Sequence, residues 1–240
     1  AQAAVSMFVL GPVLLSFLLW IFRQAERAGR YRLYFLARDG YLMYRLAEKL
    51  CRMYGLPFDC RYLYASRLAW RLPEQHLIGE DFLERVCRGG MNVTFASLMR
   101  RAGLTPEEAE RVAAEICPGK GMDVILSRKE IRDLRVLLSG CRTFLEPARE
   151  HSEECLEPAI AYLRQEGLFE EVPYALVDSG WIGTMQESLR HLLESAGYRG
   201  MTEGYYFGLY SLPPQADRQL FHGFYFEPET GLRRKARFSN

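Results

Sequence analysis

The chain has 240 residues, 49% of them hydrophobic and 25% charged, enough apolar material for one large folded domain or two small ones. Its formal net charge is +1, so no whole-molecule field draws it to nucleic acid or to an acidic partner, and any anion site has to be local. Six cysteines, at 51, 60, 87, 117, 141 and 155, form no C-x-x-C pair and have only four histidines beside them. That spacing argues against a structural zinc site and fits buried thiols in a reducing, cytoplasmic setting.

The chain opens at Ala1 rather than Met and reads as an excised domain or a trimmed chain. Val5–Phe22 is almost wholly apolar apart from Gly11-Pro12, and it lacks the basic n-region and cleavage site of a signal peptide. It falls at the lower limit of the roughly 20 apolar residues that a membrane span needs. The expectation is a buried helix starting near Pro12, with a wet end at Arg23, Glu26, Arg27 and Arg30, and no transmembrane span.

Tyr31–Leu36 is short, apolar and aromatic, as a buried strand should be. Ala37-Arg38-Asp39-Gly40 interrupts it, and Tyr41–Tyr54 then shows helical spacing up to Gly55 and Pro57. Arg61–Ala65 reads as a second strand, followed by Ser66-Arg67, so Tyr31–Arg67 is a β-loop-α-β unit with parallel strands. From about 73 to 168 strand signals vanish. Glu80–Cys87, Phe95–Ala102, Pro106–Ile116 and Cys141–Gln165 carry helical spacing, Thr105 is an N-cap with Glu108 at N3, and Gly119-Lys120-Gly121 is a turn. Tyr174–Val177 is the next buried strand and ends at Asp178. Ser179-Gly180-Trp181-Ile182-Gly183 forms a loop, and Thr184–Ser195 an amphipathic helix ending at Gly197. Gly204–Tyr210 and Phe221–Phe226 supply further strands, and Leu232–Phe238 is a basic tail with Arg233, Arg234, Lys235 and Arg237. The predicted organisation is an α/β core, residues 1–72 and 169–240, interrupted by a helical insertion or cap, residues 73–168.

Two loops stand where open parallel sheets bind ligands, beyond the carboxyl ends of strands. In the second, Gly180 and Gly183 let the backbone approach a ligand, Thr184 offers a hydroxyl, and the first amides of the helix point at an anion. Asp178 is placed for sugar hydroxyls or a metal-bound water. The competing reading has Asp178 as a helix cap and the glycines as turn geometry. The loop matches neither G-x-x-x-x-G-K-[ST] nor G-x-G-x-x-G. In the first loop Arg38, Asp39 and Gly40 offer a guanidinium, a carboxylate and a flexible turn, and Ser66-Arg67 repeats the offer at the next strand end. The competing reading there is a surface Arg–Asp pair.

The segments Leu10-Gly11-Pro12, Tyr34-Phe-Leu-Ala-Arg-Asp-Gly40, Tyr62-Leu-Tyr-Ala-Ser-Arg67 and Val177-Asp-Ser-Gly-Trp-Ile-Gly-Thr-Met-Gln186 resemble the type I phosphoribosyltransferase-like region of bacterial polysaccharide-biosynthesis proteins, which often carry an HAD-type phosphatase domain upstream. The resemblance spans most of the chain. It implies a Rossmann-like, mainly parallel sheet of phosphoribosyltransferase type with a large helical insertion. It also implies transfer of 5-phosphoribosyl from PRPP to a sugar hydroxyl of a glycan, leaving ribofuranose once the phosphatase has acted. By the same resemblance Gly180, Trp181, Gly183 and Thr184 wrap the 5-phosphate, Ser179, Ile182, Met185 and Gln186 are further substrate contacts, and Asp178 meets the ribose hydroxyls. Arg38, Asp39 and Gly40, with Arg67, hold pyrophosphate and its Mg²⁺, the metal coming mainly with PRPP and Asp39 available to it, and Ser66 is a further substrate contact. Asp178 and Asp39 are both candidates for the general base. Two departures stand out: the family's acidic pair is here Asp178-Ser179, and its Thr-Gly order is Gly183-Thr184. A sugar-phosphate-binding module without catalysis is the alternative. An HAD-type phosphatase within this chain is disfavoured, because neither Asp178 nor Asp39 has a second aspartate two residues on.

Overall fold

The structure, a computed structural model, describes residues 2–230 apart from Glu80, Met91, Pro118, Lys120 and Gln215. The basic tail at Leu232–Phe238 lies outside the described residues. The chain divides into two compact units: Ala1–Ser66 with Glu166–Arg190 and Tyr198–Asn240, and Arg67–Gln165 with His191–Gly197.

The first unit is built on five strands, β1 (Arg32–Leu36), β2 (Asp59–Leu63), β3 (Tyr174–Asp178), β4 (Glu203–Gly208) and β5 (Phe221–Phe226). They form one sheet in the order β2-β1-β3-β4-β5, and every neighbouring pair is parallel. The fold is therefore α/β with a parallel sheet, compatible with the Rossmann-like class that the strand-loop-helix pattern predicts. All of β1 is buried, because both its faces are covered. Leu33 and Phe35 point to the face where they pack with Ala175, Val177 and Tyr205. Phe17, Ile21 and Phe22 of α2 (Gly11–Arg27) and Met43, Ala47 and Leu50 of α3 (Gly40–Tyr54) close that face.

Charged groups tie the amino edge of the sheet. Arg32 Nε donates to Asp59 Oδ2 at 2.9 Å, Arg30 Nε to Glu203 Oε2 at 3.1 Å, and Tyr34 Oη to the Glu166 carbonyl at 2.6 Å. The Arg32–Asp59 pair belongs to the Arg32↔Asp59 register, which starts β2 two residues before the predicted Arg61. The apolar run Tyr62–Ala65 had suggested a later strand, but pairing ends at Leu63.

The predicted burial of the N-terminal helix holds for its second half only. Phe17, Leu18, Ile21, Phe22 and Ala25 are buried, whereas Val5, Met7, Phe8, Val9, Leu10, Val13 and Leu15 are exposed. As expected, α2 begins at Gly11 with Pro12 in its first turn, but the chain is already helical before it: α1 (Gln2–Val5) leads through a π-helical turn, Ser6–Leu10, directly into α2. Pro12 has no N–H to give, and the widened turn just before it, in which Gly11 N–H reaches back to Ser6 O, accommodates the break. Ser6–Arg27, 22 residues with a mean hydropathy of 1.8 in its most apolar window, is long and apolar enough to cross a membrane by length and composition.

The second unit is helical: α4 (Arg67–Glu74), α5 (Asp81–Val86), α6 (Phe95–Arg101), α7 (Pro106–Ile116), α8 (Arg128–Gly140) and α9 (Arg142–Gln165). Its core joins Leu98 and Met99, Val112, Leu134 and Leu138, and Phe144. Thr94, Thr105 and Ser127 each close a capping box at a helix start. Helix α8 was not predicted, although Ser127-Arg-Lys-Glu130 and the buried spacing Ile131, Leu134, Leu138 both announce it. The predicted cysteine thiols are free; Cys87 and Cys141 are buried and the other four partly so. Helix α10 (Thr184–Ser195) begins in the first unit, and its last residues belong to the second.

Candidate functional site

From β1 the chain crosses to β2 on one side; from β3 it crosses to β4 and β5 on the other. The reversal falls between β1 and β3, where a parallel sheet opens a crevice beyond its strand ends. The two loops read from the sequence, Ala37–Gly40 and Asp178–Gly183, are the ones that leave β1 and β3.

The first loop is short and fixed by main-chain bonds: Ala37 N–H donates to Leu63 O at 3.0 Å, and Tyr41 N–H to Arg38 O at 3.1 Å. The Ala37–Arg38 peptide is cis, as is Gly180–Trp181 in the second loop. Arg38 and Asp39 are exposed, and Gly40 is buried. A Cβ on Gly40 would lie 2.9 Å from the Phe35 carbonyl carbon, so this glycine lets α3 start directly against β1. Asp39 occupies the N-cap position of α3 but has helical dihedrals and makes no capping bond. Its carboxylate turns to the other loop instead, where Ser179 Oγ donates to Asp39 Oδ2 at 2.7 Å.

The second loop is clamped to the far half of the sheet. Gly208 N–H donates to Ser179 O at 3.3 Å, and Tyr210 N–H to Trp181 O at 2.8 Å. Gly180 has φ +138°, and a Cβ there would sit 2.3 Å from Gly208 O. Gly183 has φ +67°, and its Cβ would meet the Phe221 ring at 2.5 Å. Close packing against β4 and β5 therefore already demands both glycines. Trp181 is 39% exposed and stacks on Phe226, with ring centroids 6.0 Å apart. Ile182 and Met185 are partly buried, and Thr184 opens α10.

Asp178 ends β3, partly buried, and its Oδ1 accepts the Ser179 N–H at 2.7 Å. That bond lies within its own turn, several residues before α10 begins, as a helix cap would not. Ser179 thus touches both carboxylates, Asp178 through its amide and Asp39 through its hydroxyl. Gln186, predicted among the ligand contacts, is 2% exposed and has its amide committed inside the protein. Its Nε2 donates to the Thr202 and Leu220 carbonyls at 2.8 and 3.0 Å, and its Oε1 accepts from Tyr206 Oη at 2.7 Å. Ser66 is exposed three residues beyond β2, and Arg67, also exposed, is the first residue of the helical unit.

Sequence reading passed over three tyrosines next to the first loop, Tyr41, Tyr62 and Tyr64. Their alternation along Tyr62-Leu-Tyr64 was the available signal, since it puts both rings on one face. The chain matches no protein-family model and no curated protein.

Proposed function

We propose that the sheet unit is a phosphoribosyltransferase-type domain that binds PRPP across the β1/β3 crevice. It transfers the 5-phosphoribosyl group to a sugar hydroxyl of a bacterial glycan and releases pyrophosphate. The observation that carries this reading is Ser179 bridging Asp178 and Asp39. The acidic pair that the resemblance leads one to expect in a single loop is assembled here from two loops, with Ser179 between the carboxylates.

The chemistry suits the arrangement. The bond from ribose C1 to the pyrophosphate oxygen breaks, and the acceptor oxygen forms a new bond to C1. The acceptor proton passes to a carboxylate, and Asp178 and Asp39 are both placed for it. Mg²⁺ in complex with the diphosphate supplies charge neutralisation for the leaving group. Among the described residues no group of three or more His, Cys, Asp or Glu gathers to hold a metal by itself. Asp39, whose Oδ2 accepts from Ser179, would be the residue to help hold such a complex. Arg38 adds a guanidinium for the diphosphate, and the backbone of Gly180–Met185 faces the 5-phosphate. Asp178 accepts from the ribose hydroxyls and stabilises the positive charge that builds on the sugar as pyrophosphate departs.

The test is titration with PRPP and Mg²⁺, followed by mass spectrometry of candidate glycan acceptors. Saturable binding and an acceptor heavier by one phosphoribosyl unit are expected. Binding with no transfer to any acceptor would leave a sugar-phosphate-binding module, and no binding would remove PRPP altogether.

A further inference from the structure

Beside the Arg38–Gly40 loop, the edge of the sheet carries tyrosines that phosphoribosyl transfer leaves unused. Tyr41 follows Gly40 in the first turn of α3, Tyr62 lies in β2, and Tyr64 stands one residue past its end. The Tyr41 and Tyr62 rings meet edge to face at 5.4 Å and 77°, and those of Tyr62 and Tyr64 at 5.0 Å and 77°. Tyr44 extends the group, 5.9 Å from Tyr62. Tyr41 is 50% exposed and Tyr64 70%. Burial pushes the Tyr62 phenol up, the Tyr64 and Tyr41 phenols push it the same way, and Arg38 draws it down. Arg38 and the Tyr41 and Tyr64 hydroxyls are thus each within electrostatic reach of the Tyr62 hydroxyl. Arg45 braces the outer ring, with its Nη1 donating to Tyr41 Oη at 3.1 Å, while its own charge faces Glu48 at 3.6 Å.

A single exposed aromatic residue needs no explanation. Contiguous rings at the rim of a crevice, each with a hydroxyl at its outer end, form a surface that is apolar in its faces and polar along its edge. A sugar ring has the same division, with C–H bonds on its faces and hydroxyls around its rim. A single-stranded nucleic acid also stacks on aromatic rings, but it needs a track of cations along its backbone. Here Arg45 is engaged by Tyr41 and Glu48, and the chain as a whole carries a formal charge of only +1.

We infer that Tyr41, Tyr62 and Tyr64 form the platform for the acceptor, a neutral oligosaccharide. Its sugar units stack on the exposed rings beside the Arg38–Gly40 loop and present a neighbouring hydroxyl to the crevice. This rests on the transferase reading for the acceptor's role, but the carbohydrate site stands on its own geometry. The test is saturation-transfer NMR with maltotetraose and cellotetraose as probes, on the wild type and on Tyr64→Ala, Tyr41→Ala/Tyr64→Ala and Tyr64→Phe. At least one probe should bind the wild type, and the double alanine variant should lose at least tenfold in affinity. Tyr64→Phe, which keeps the ring, should retain most of it. Tyr64→Ala, at the most exposed ring, should keep the wild-type thermal midpoint and still lose affinity. Failure of both sugars to bind, binding indifferent to the tyrosines, or displacement of the sugar by a single-stranded oligonucleotide would overturn the platform. PRPP is titrated separately on the wild type. Tyrosine-dependent sugar binding without PRPP binding would defeat the donor reading alone, and PRPP binding with no tyrosine-dependent sugar binding would defeat the platform alone.

Discussion

Ser179 and Asp39, 140 residues apart in the chain, are joined by a 2.7 Å hydrogen bond from Oγ to Oδ2. The bond ties the loop after β1 to the loop after β3 at the point where the strand order reverses. A double-mutant cycle of Ser179→Ala and Asp39→Ala should show the two residues coupled in PRPP affinity. An exposed hydrogen bond of this kind is worth about 0.5–1.5 kcal/mol, and coupling near the lower figure is expected. Strictly additive losses would mean that the bond does no work in the bound state.

Gly180→Ala should destabilise the protein more than Gly55→Ala. Both positions have positive φ, which strains any alanine. Around Gly55 nothing lies within 4 Å of an added Cβ, whereas at Gly180 the Gly208 carbonyl oxygen lies at 2.3 Å. Strain alone costs about 1 kcal/mol, and the overlap with backbone adds roughly 1–3 kcal/mol more. Thermal midpoints of the two variants make the comparison, and equal midpoints would mean that the loop relaxes away from β4.

Gln186→Leu should act on stability. The substitution leaves the buried Thr202 carbonyl and the partly buried Leu220 carbonyl without their amide donor, and buried Tyr206 Oη without its acceptor. A loss of about 2–4 kcal/mol is expected, with PRPP affinity of the folded fraction little changed. A stable variant with weakened PRPP binding would return Gln186 to the ligand.

Glu203 sets an acid limit on the fold. Its side chain is 12% exposed, Arg30 Nε lies 3.1 Å from Oε2, and Tyr205 Oη donates to Oε1 at 3.2 Å. His222 Nε2 lies 2.7 Å from Oε1. Burial by itself would raise the carboxyl's pKa, but His222 and Arg30 outweigh it and hold the group below its ordinary value. A folded pKa below the unfolded one gives stability that is fully present above the unfolded value, about 4.3, and lost as pH falls through the folded value. Thermal midpoints between pH 3 and 7 should therefore drop less steeply on the acid side for Glu203→Gln than for the wild type. Identical acid limbs would show that other carboxylates set the limit.

The strands and both loops were legible because buried parallel strands are apolar runs punctuated by glycine and charge, as in Tyr174–Asp178. The start of β2 was not, because its register is set by Arg32 meeting Asp59, a pairing between distant segments. Asp39 was read, by resemblance, as a pyrophosphate and Mg²⁺ contact and as a candidate base; its bond to Ser179 needs the sheet order to bring β1 beside β3. Gln186 looked like part of a ligand turn because it follows Gly183-Thr184-Met185, yet its helical position turns it inward. The N-terminal helix is apolar on every side, so periodicity could not say which half would be covered.

The measurement that bears most directly on the proposed transfer is PRPP turnover by Asp178→Asn beside its thermal midpoint. The carboxylate accepts from two ribose hydroxyls and faces the positive charge developing at the sugar, whereas an amide offers one acceptor oxygen and no charge. Loss of one such contact costs roughly 2.7–4 kcal/mol, about two to three decades in rate. Asn can still accept the Ser179 N–H through its remaining oxygen, so the fold should hold. The expected result is a variant with a wild-type midpoint and pyrophosphate release reduced at least a hundredfold. Pyrophosphate release at the wild-type rate from an equally stable Asp178→Asn protein would contradict it.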